Sequence, residues 1–264
     1  MSESSSFVSV RDEGPVRWIT LSNPGRANAV PAFGWEQLLG ALDGFEASGS
    51  RALVLTGADG DFCAGADLTV EGGLRGLEDV AHNHSAMNRA SRVALTLHRL
   101  TKPTVAAVDG LAVGAGMNLA IGCDVVLASS RARFAEIFVK RGLAMDMGGT
   151  WLLPRLVGLA RAREIALTGR VIEASEALDI GLVSRVVDPD GLVRATAEVA
   201  ADLAAGAPLA FRALKSGLDR SGGLSFEQAL AVENQAQAVL MASEDAREGI
   251  ASFLEQRSAR FDGR

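Results

Sequence analysis

The chain has 264 residues, of which 48% are apolar and 22% charged, and these values predict a soluble globular protein of one large domain or two small ones. A formal net charge of −6 argues against nucleic acid or an anionic membrane as the main partner. With two cysteines, Cys63 and Cys123, and no tyrosine, we expect no zinc site of paired cysteines, no disulfide framework and no tyrosine acid chemistry. The N-terminal MSESSSF lacks the apolar core of a signal peptide, and no apolar run approaches the roughly 18 residues of a membrane span, so we expect a cytoplasmic location.

In the first half of the chain, apolar β-branched runs alternate with helical stripes. Strands are predicted at Val16–Leu21 and 52–56, with a helix at 32–47 between them, an order typical of an α/β fold with parallel strands. Turn formers fill residues 22–31 and predict a loop. The further predictions are a strand–loop unit at 59–68, a mobile glycine-rich loop at 71–84, a helix at 85–100, a buried strand at 104–108, a loop at 110–116 leading into a helix, and a strand at 123–128.

The second half is predominantly helical. Helices are predicted at 150–157, 161–167, 174–180, 192–205, 209–218, 226–241 and 245–256, with one short strand at 183–187. The turn-forming residues 206–208 suggest a boundary between a core carrying the functional site, residues 1–205, and a helical region, residues 206–264.

Two loops rich in glycine and alanine are candidates for chemistry. The first is FCAGADL, residues 62–68, and the second is DGLAVGAGMN, residues 109–118. Small residues at a corner between strand and helix let backbone N–H groups point into a cavity, and two converging N–H donors form an oxyanion hole. Tight turns and close packing alone would also explain either loop. The GAG of the second loop does not complete a dinucleotide-binding fingerprint, because Leu119 occupies the third glycine position.

Taken together, several segments resemble the crotonase superfamily, the enoyl-CoA hydratase/isomerase family. They are NPGRANAV, FCAGADL, VDGLAVGAGMNLAIGCDVVLAS, RGLAMDMGGTWLLPRLVG, ALDIGLVSRVV and EGIASFLEQR, in family order over nearly the whole chain. The resemblance implies a crotonase spiral of ββα units with a C-terminal helical oligomerisation region, and a homotrimer or hexamer. It implies an acyl-CoA thioester substrate, no cofactor apart from the coenzyme A of that substrate, and no metal. The shared chemical step is stabilisation of a thioester enolate by two backbone N–H groups.

The resemblance also implies site residues. The two N–H donors would be the amides of Ala66 and Ala115. Arg26 is positioned for a phosphate of coenzyme A, although a solvated loop arginine is an equally good interpretation. Phe253 and Arg257 match residues that approach coenzyme A from a neighbouring subunit, although core packing and surface charge would also explain them. The predicted substrate- and CoA-binding residues are Arg26, Ala27, Ala29, Ala64, Asp67, Leu68, Gly114, Asn118 and Phe138.

The departures from the family pattern bear on the reaction. Hydratases of the family add water with two glutamates, and the corresponding places here are Asn118 and Phe138. Neither side chain exchanges a proton as a carboxylate does. Glu136 lies two residues out of register, so it would enter the site only through a local bulge; otherwise we expect a solvated or salt-bridged side chain.

Asp146 occupies a third place, where several isomerases of the superfamily, including the ring-epoxide group, and the CoA dehalogenases carry an acidic residue. Its apolar flanks, Met145 and Met147, predict a raised pKa that suits a base. A helix cap before 148–149 is the structural alternative. Because one carboxylate suffices to move a double bond, we predict an enoyl-CoA isomerase with Asp146 as proton shuttle. The alternatives are an enoyl-CoA hydratase, a CoA-ester dehalogenase or hydrolase, and a non-catalytic CoA-binding member.

Overall fold

The computed structural model describes residues 6–69 and 79–264, and a six-stranded sheet forms the centre of this part of the chain. Its strands are β1 (Val8–Glu13), β2 (Val16–Leu21), β3 (Ala52–Gly57), β4 (Thr104–Val108), β6 (Val125–Ser129) and β9 (Arg185–Val187). They lie in the order β1-β2-β3-β4-β6-β9; β1 and β2 pair antiparallel, and the other neighbours pair parallel. The predicted parallel pairing of the strands at Val16–Leu21 and 52–56 is confirmed.

A smaller three-stranded sheet lies beside the point where β4 ends. It contains β5 (Leu111–Val113), β7 (Arg133–Ala135) and β8 (Val171–Glu173), with β7 in the middle. These strands have three residues each, too short for an alternating pattern to be recognised in the sequence.

Ten α-helices are present in the described residues, together with two 3₁₀ turns at Ile137–Arg141 and Pro189–Gly191. The helices are α1 (Gly34–Glu46), α2 (Val80–Arg99), α3 (Ala115–Ile121), α4 (Gly149–Val157), α5 (Leu159–Thr168), α6 (Ala174–Asp179), α7 (Leu192–Ala205), α8 (Pro208–Ser221), α9 (Phe226–Met241) and α10 (Glu244–Glu255). None of them is long and apolar enough to cross a membrane.

Apolar side chains cover both faces of the large sheet. Along β3, Leu53 and Leu55 belong to the main core under α1, whereas Val54 points to a second core under α7. Because successive side chains of a strand point to opposite faces, a sheet covered on both sides needs apolar residues at every position. This explains why the central strands β3 and β4 appear in the sequence as mainly apolar runs.

The helix before β4 begins earlier than predicted. Residues 80–84 lie in α2 rather than in a loop, and Asp79 caps the helix by accepting hydrogen bonds from the amides of Ala81 and His82. The rest of the predicted loop, at 71–78, lies outside the described residues. Residues 59–68 contain no strand, only isolated bridges at Cys63 and Ala66. Strand β1 was not predicted, because five of its six residues are exposed and its polar sequence has no apolar pattern.

Candidate active site

The two loops rich in glycine and alanine, residues 62–68 and 109–118, pack together through their backbones. The amide of Cys63 donates to the carbonyl of Leu111 at 2.8 Å, and the amide of Val113 donates to the carbonyl of Cys63 at 2.9 Å. A Cβ atom at Gly116 would lie 2.0 Å from the Cys63 carbonyl oxygen, and one at Gly65, where φ is +91°, would lie 2.9 Å from that of Val113. Glycine is therefore required at both positions for this close approach, so close packing explains these two glycines.

This packing leaves two amides on the adjoining loops without acceptors. The chain around Ala66 bridges to Val30 through the Gly65 carbonyl and the Asp67 amide, so the Ala66 N–H points away from that pairing. Ala115 begins α3, where the amides of the first turn have no acceptor within the helix. Within the described residues neither amide donates a hydrogen bond, and Ala115 is 2% exposed. The buried Ala115 N–H needs a partner, and the N–H of half-buried Ala66 has none among the described residues, so both are available to a ligand oxygen.

Three polar side chains outside the predicted set hold the loops in place. The Asn28 amide donates to the carbonyls of Ala58 and Asp61, both at 2.8 Å. The Asp61 carboxylate accepts from the Leu111 amide at 2.9 Å, and that of Asp109 accepts from Ser129 and Arg131. The Asp61 contact ties the start of the first loop to the second, Asn28 holds the turn before the first loop, and Asp109 anchors the second loop at the end of β6 and just beyond it. Asn28 has a φ of +56°, a backbone conformation that asparagine tolerates better than most residues. The presence of asparagine in a turn was therefore the one signal of this role in the sequence.

The residues predicted to line the coenzyme A groove differ in exposure. Arg26 and Leu68 are exposed, and Ala29 is buried. Ala27 and Ala64 are half-buried and joined by a hydrogen bond from the Ala64 amide to the Ala27 carbonyl, 2.9 Å. The Asp67 carboxylate accepts from the amide and hydroxyl of Thr69, so it stabilises its own turn. Phe138 is half-buried and packs towards Gly114, where a Cβ atom would lie 3.5 Å from the ring.

Asn118 lies between two carboxyl residues. Its Nδ2 donates to the main-chain oxygen of Asp146 at 3.1 Å and to Oε2 of Glu136 at 3.5 Å. Gly149 closes the site from the start of α4, because a Cβ atom there would lie 2.6 Å from the Asn118 amide. Three buried oxygens of this cluster have no hydrogen-bond partner among the described residues: Asn118 Oδ1, Glu136 Oε1 and Asp146 Oδ1.

Burial raises the pKa of both carboxyls, and at Glu136 the negative charge of Asp146 adds to the shift. Burial raises the pKa of Asp146 to about 6, and burial together with the Asp146 charge raises the pKa of Glu136 to about 8. The environments therefore separate the two groups, and near neutral pH the cluster carries one negative charge, on Asp146. A carboxylate with a pKa near the working pH is suited to taking and returning a proton.

Two structural alternatives from the sequence are wrong. Asp146 does not cap α4: Gly148 is the N-cap, without a side-chain hydrogen bond. Glu136 is neither solvated nor salt-bridged, because it is 0% exposed and its side-chain contact is with Asn118. Glu136 directly follows β7, whose pairing with β5 and β8 is regular up to Ala135, so it reaches the interior without a bulge in that strand. Phe134, Ala135 and Glu136 are all buried, so no alternating pattern in the sequence indicated the position of Glu136.

An apolar cavity of about 330 Å³ opens beside the cluster, between α2, α3 and α4. Asn118 lines it, as do Met147 and Gly148, the residues directly after Asp146. At its other side, the His98 ring meets Trp151 edge to face at 5.3 Å between centroids. The cavity is therefore suited to an apolar group whose reacting atoms lie near Asn118 and Asp146.

The C-terminal residues lie on the surface of this chain. Phe253 is 81% exposed, so core packing within one chain does not explain it. Arg257 forms ion pairs with Glu248 and Glu255, both at 2.6 Å, in agreement with the surface-charge interpretation. No group of three or more histidine, cysteine or carboxylate side chains in residues 6–69 and 79–264 could hold a metal ion.

The chain is similar in sequence and in fold to proteins of one family. A sequence model of the family described as enoyl-CoA hydratase/isomerase matches residues 11–264. A probable enoyl-CoA hydratase of Rhizobium meliloti is 37% identical over 258 residues, 97% of each chain. The 1,2-epoxyphenylacetyl-CoA isomerase of Escherichia coli K12 is 34% identical over 263 residues, 98% of this chain and 99% of that protein. The crystal structure of an enoyl-CoA hydratase from Polaromonas sp. JS666 matches with a TM-score of 0.92 and 31% identity, covering 97% of this chain and 99% of that one, which confirms the predicted fold.

Proposed function

Because the chain belongs to the enoyl-CoA hydratase/isomerase family, we propose that it is an enoyl-CoA isomerase, of the double-bond or ring type, that uses Asp146 as its proton shuttle. The observation that carries the proposal is the state of Asp146: its carboxyl has a raised pKa and keeps Oδ1 without a partner in the described residues, and the next two residues, Met147 and Gly148, line an apolar cavity.

The chemistry follows from the two free amides. A thioester carbonyl placed between the N–H groups of Ala66 and Ala115 accepts two hydrogen bonds, which strengthen as the oxygen gains negative charge. Asp146 removes a proton from carbon, the enolate forms, and Asp146 returns the proton to another carbon. The double bond has then moved, and no water has been consumed.

The cavity and the exposed side of the loops support a placement for the two parts of the substrate. The acyl group lies in the apolar space between α2 and α4, and coenzyme A extends towards Arg26 and Leu68 on the exposed side of the loops. A second copy of the chain covers the exposed apolar residues of α8–α10, in a homotrimer or hexamer.

Hydration is the second candidate, and Glu136 is the observation that favours it. The side chain is buried against Asn118 and within electrostatic reach of Asp146, so the cluster contains two carboxyls rather than one. Two carboxyls are sufficient to deprotonate a water molecule and deliver a proton. Glu136 contacts Asn118, which lines the cavity, whereas Asp146 directly precedes the lining residues Met147 and Gly148, and this favours Asp146 as the group that acts on the substrate.

Product analysis decides between these reactions. The purified protein is incubated with a 3-enoyl-CoA, with crotonyl-CoA and with a halogenated acyl-CoA, and products are identified by mass spectrometry. We expect conversion of the 3-enoyl-CoA to its 2-isomer, and little addition of water to crotonyl-CoA. Rapid hydration of crotonyl-CoA would replace the proposal with a hydratase, and halide release would replace it with a dehalogenase. Binding of CoA esters without turnover of any would indicate a non-catalytic member.

A further inference from the structure

Glu136 is a buried carboxyl for which the proposed proton shuttle has no use. It is 0% exposed, at the end of β7, and no basic side chain in the described residues pairs with it. A buried ionised carboxylate without a cation is costly, and such groups are more stable when they hold a proton. The orientation of the neighbouring Asn118 amide indicates which oxygen of Glu136 carries that proton.

The main chain of Asp146 fixes the orientation of the neighbouring amide. A carboxamide turned the other way would bring Asn118 Oδ1 to the Asp146 carbonyl oxygen, and two acceptors would then face each other at about the present 3.1 Å. The NH₂ group therefore faces Asp146 O and Glu136 Oε2. Both of its hydrogens are used, and Oδ1 is left as an acceptor without a donor.

In the contact between Asn118 and Glu136, one oxygen of each side chain lacks a hydrogen-bond donor. Asn118 Oδ1 needs a donor, and Glu136 Oε1 has no donor either when the carboxyl is ionised. One proton on Oε1 supplies both needs, because an acid and a primary amide form a pair with an O–H···O bond on one side and an N–H···O bond on the other. Buried polar atoms are satisfied in folded proteins as a rule, so a single proton explains two exceptions.

We propose that Glu136 is a positioning residue: it stays protonated in the active enzyme, paired with the Asn118 amide, and so keeps the cluster at a single negative charge. The proposal rests on the proposed function in that the one charge belongs to Asp146, the proton shuttle. Loss of the Glu136 proton removes the O–H···O bond of the pair, leaves Asn118 Oδ1 without a donor, and adds a second negative charge to the cluster that contains Asp146.

The charged groups around Glu136 are few. Asp146 acts on it directly, while Asn118 on α3 contributes a dipole. On its own strand, Arg133 is exposed and paired with Glu173 of β8. The main-chain oxygen of Glu136 lies near Gly169, beside the aliphatic part of exposed Lys140. Asp146 and Glu136 therefore set the two limits of activity: it rises with pH as Asp146 ionises near pH 6 and falls as Glu136 ionises near pH 8.

Infrared spectroscopy tests the protonation state without relying on activity. The wild type at pH 7 should show the carbonyl band of a buried protonated carboxyl, which disappears in Glu136→Gln and persists in Glu173→Gln and Asp146→Asn. Absence of that band from the wild type at pH 7 would overturn the proposal. The result does not depend on whether Asp146 shuttles protons, so failure here and failure of the proposed function are distinguishable.

The pH profile of solvent-proton exchange into an acyl-CoA tests the consequence. Because glutamine keeps the amide contact and is always neutral, Glu136→Gln should stay within about threefold of the wild type at pH 7, against the hundredfold or greater loss expected for a group that itself transfers the proton. The variant should also lose the fall in rate above pH 8, whereas Glu173→Gln should retain it. A large loss at every pH, or an unchanged alkaline fall in Glu136→Gln, would contradict the assignment.

Discussion

Replacing Asp146 by asparagine should make the protein more stable at neutral pH while it removes activity. Burial raises the pKa of this carboxyl from 3.8 to about 6, so the folded protein binds the proton more tightly than the unfolded chain does. The ionised form is therefore a penalty on folding. The penalty is absent below about pH 4, grows as the pH rises, and is complete above about pH 6.

The size of the penalty follows from the shift. Roughly two pKa units at 1.36 kcal/mol each amount to about 3 kcal/mol at pH 7, as an upper limit because solvent partly screens the half-buried side chain. Asparagine keeps the shape and carries no charge, so Asp146→Asn should raise the free energy of unfolding by about 1–3 kcal/mol at pH 7. Turnover should fall about a hundredfold to ten-thousandfold, because the amide does not accept a proton.

Urea unfolding of the wild type and the variant, measured between pH 4 and pH 7, provides the check. The difference in unfolding free energy should increase with pH across this range. The control is Asp202→Asn on the exposed surface of α7, for which no such increase is expected. A variant with the stability of the wild type at every pH and with normal turnover would refute both the buried-base account and the catalytic role.

Three further outcomes are expected. Ala66→Pro removes one free amide without breaking the bridge to Val30, and should lower turnover about a hundredfold to a thousandfold with an unchanged circular dichroism spectrum; near wild-type turnover would show that this amide is not in an oxyanion hole. Gly149→Ala places a Cβ atom 2.6 Å from the Asn118 amide and should cost about 1–3 kcal/mol of stability. Its control, Gly217→Ala, has open space around it in α8 and should be neutral or stabilising by up to about 1 kcal/mol. Equal effects of the two substitutions in thermal unfolding would contradict the packing of Gly149 against Asn118. Light scattering should give three or six times the chain mass, because α8–α10 leave large apolar side chains such as Phe226 and Phe253 exposed; a mass near 27.5 kDa would argue against oligomers.

The elements that the sequence predicts well are those whose burial leaves a pattern. Strand β4 is buried at all five positions, and α1 places Leu38, Leu42 and Phe45 in the core at helical spacing, so both were predicted within two or three residues. Strand β1 and the start of α2 are largely exposed, and exposed elements leave no apolar pattern.

In the candidate site, too, some features were predicted from the sequence and others were not. The two loops were found because glycines at a close backbone approach are visible in the sequence and match a family. The relation of Glu136 to Asn118 was not found, because it depends on how β7 and α3 lie in space, and an interpretation by register alone placed Glu136 in solvent. The capping role considered for Asp146 failed for a local reason, namely that Gly148 adopts the left-handed conformation at the start of α4.

In the proposed reaction, Asp146 exchanges protons with the carbon skeleton of a thioester held by two backbone amides. The most direct test of this reaction is deuterium incorporation from heavy water into an enoyl-CoA and its isomer, followed by mass spectrometry for the wild type and Asp146→Asn. In the wild type we expect deuterium at carbon and a moved double bond without gain of water. In the variant, which should still bind CoA esters, exchange should be at least about a hundredfold slower. Exchange that survives in Asp146→Asn, or a wild type that adds water rapidly to crotonyl-CoA, would contradict the proposed reaction.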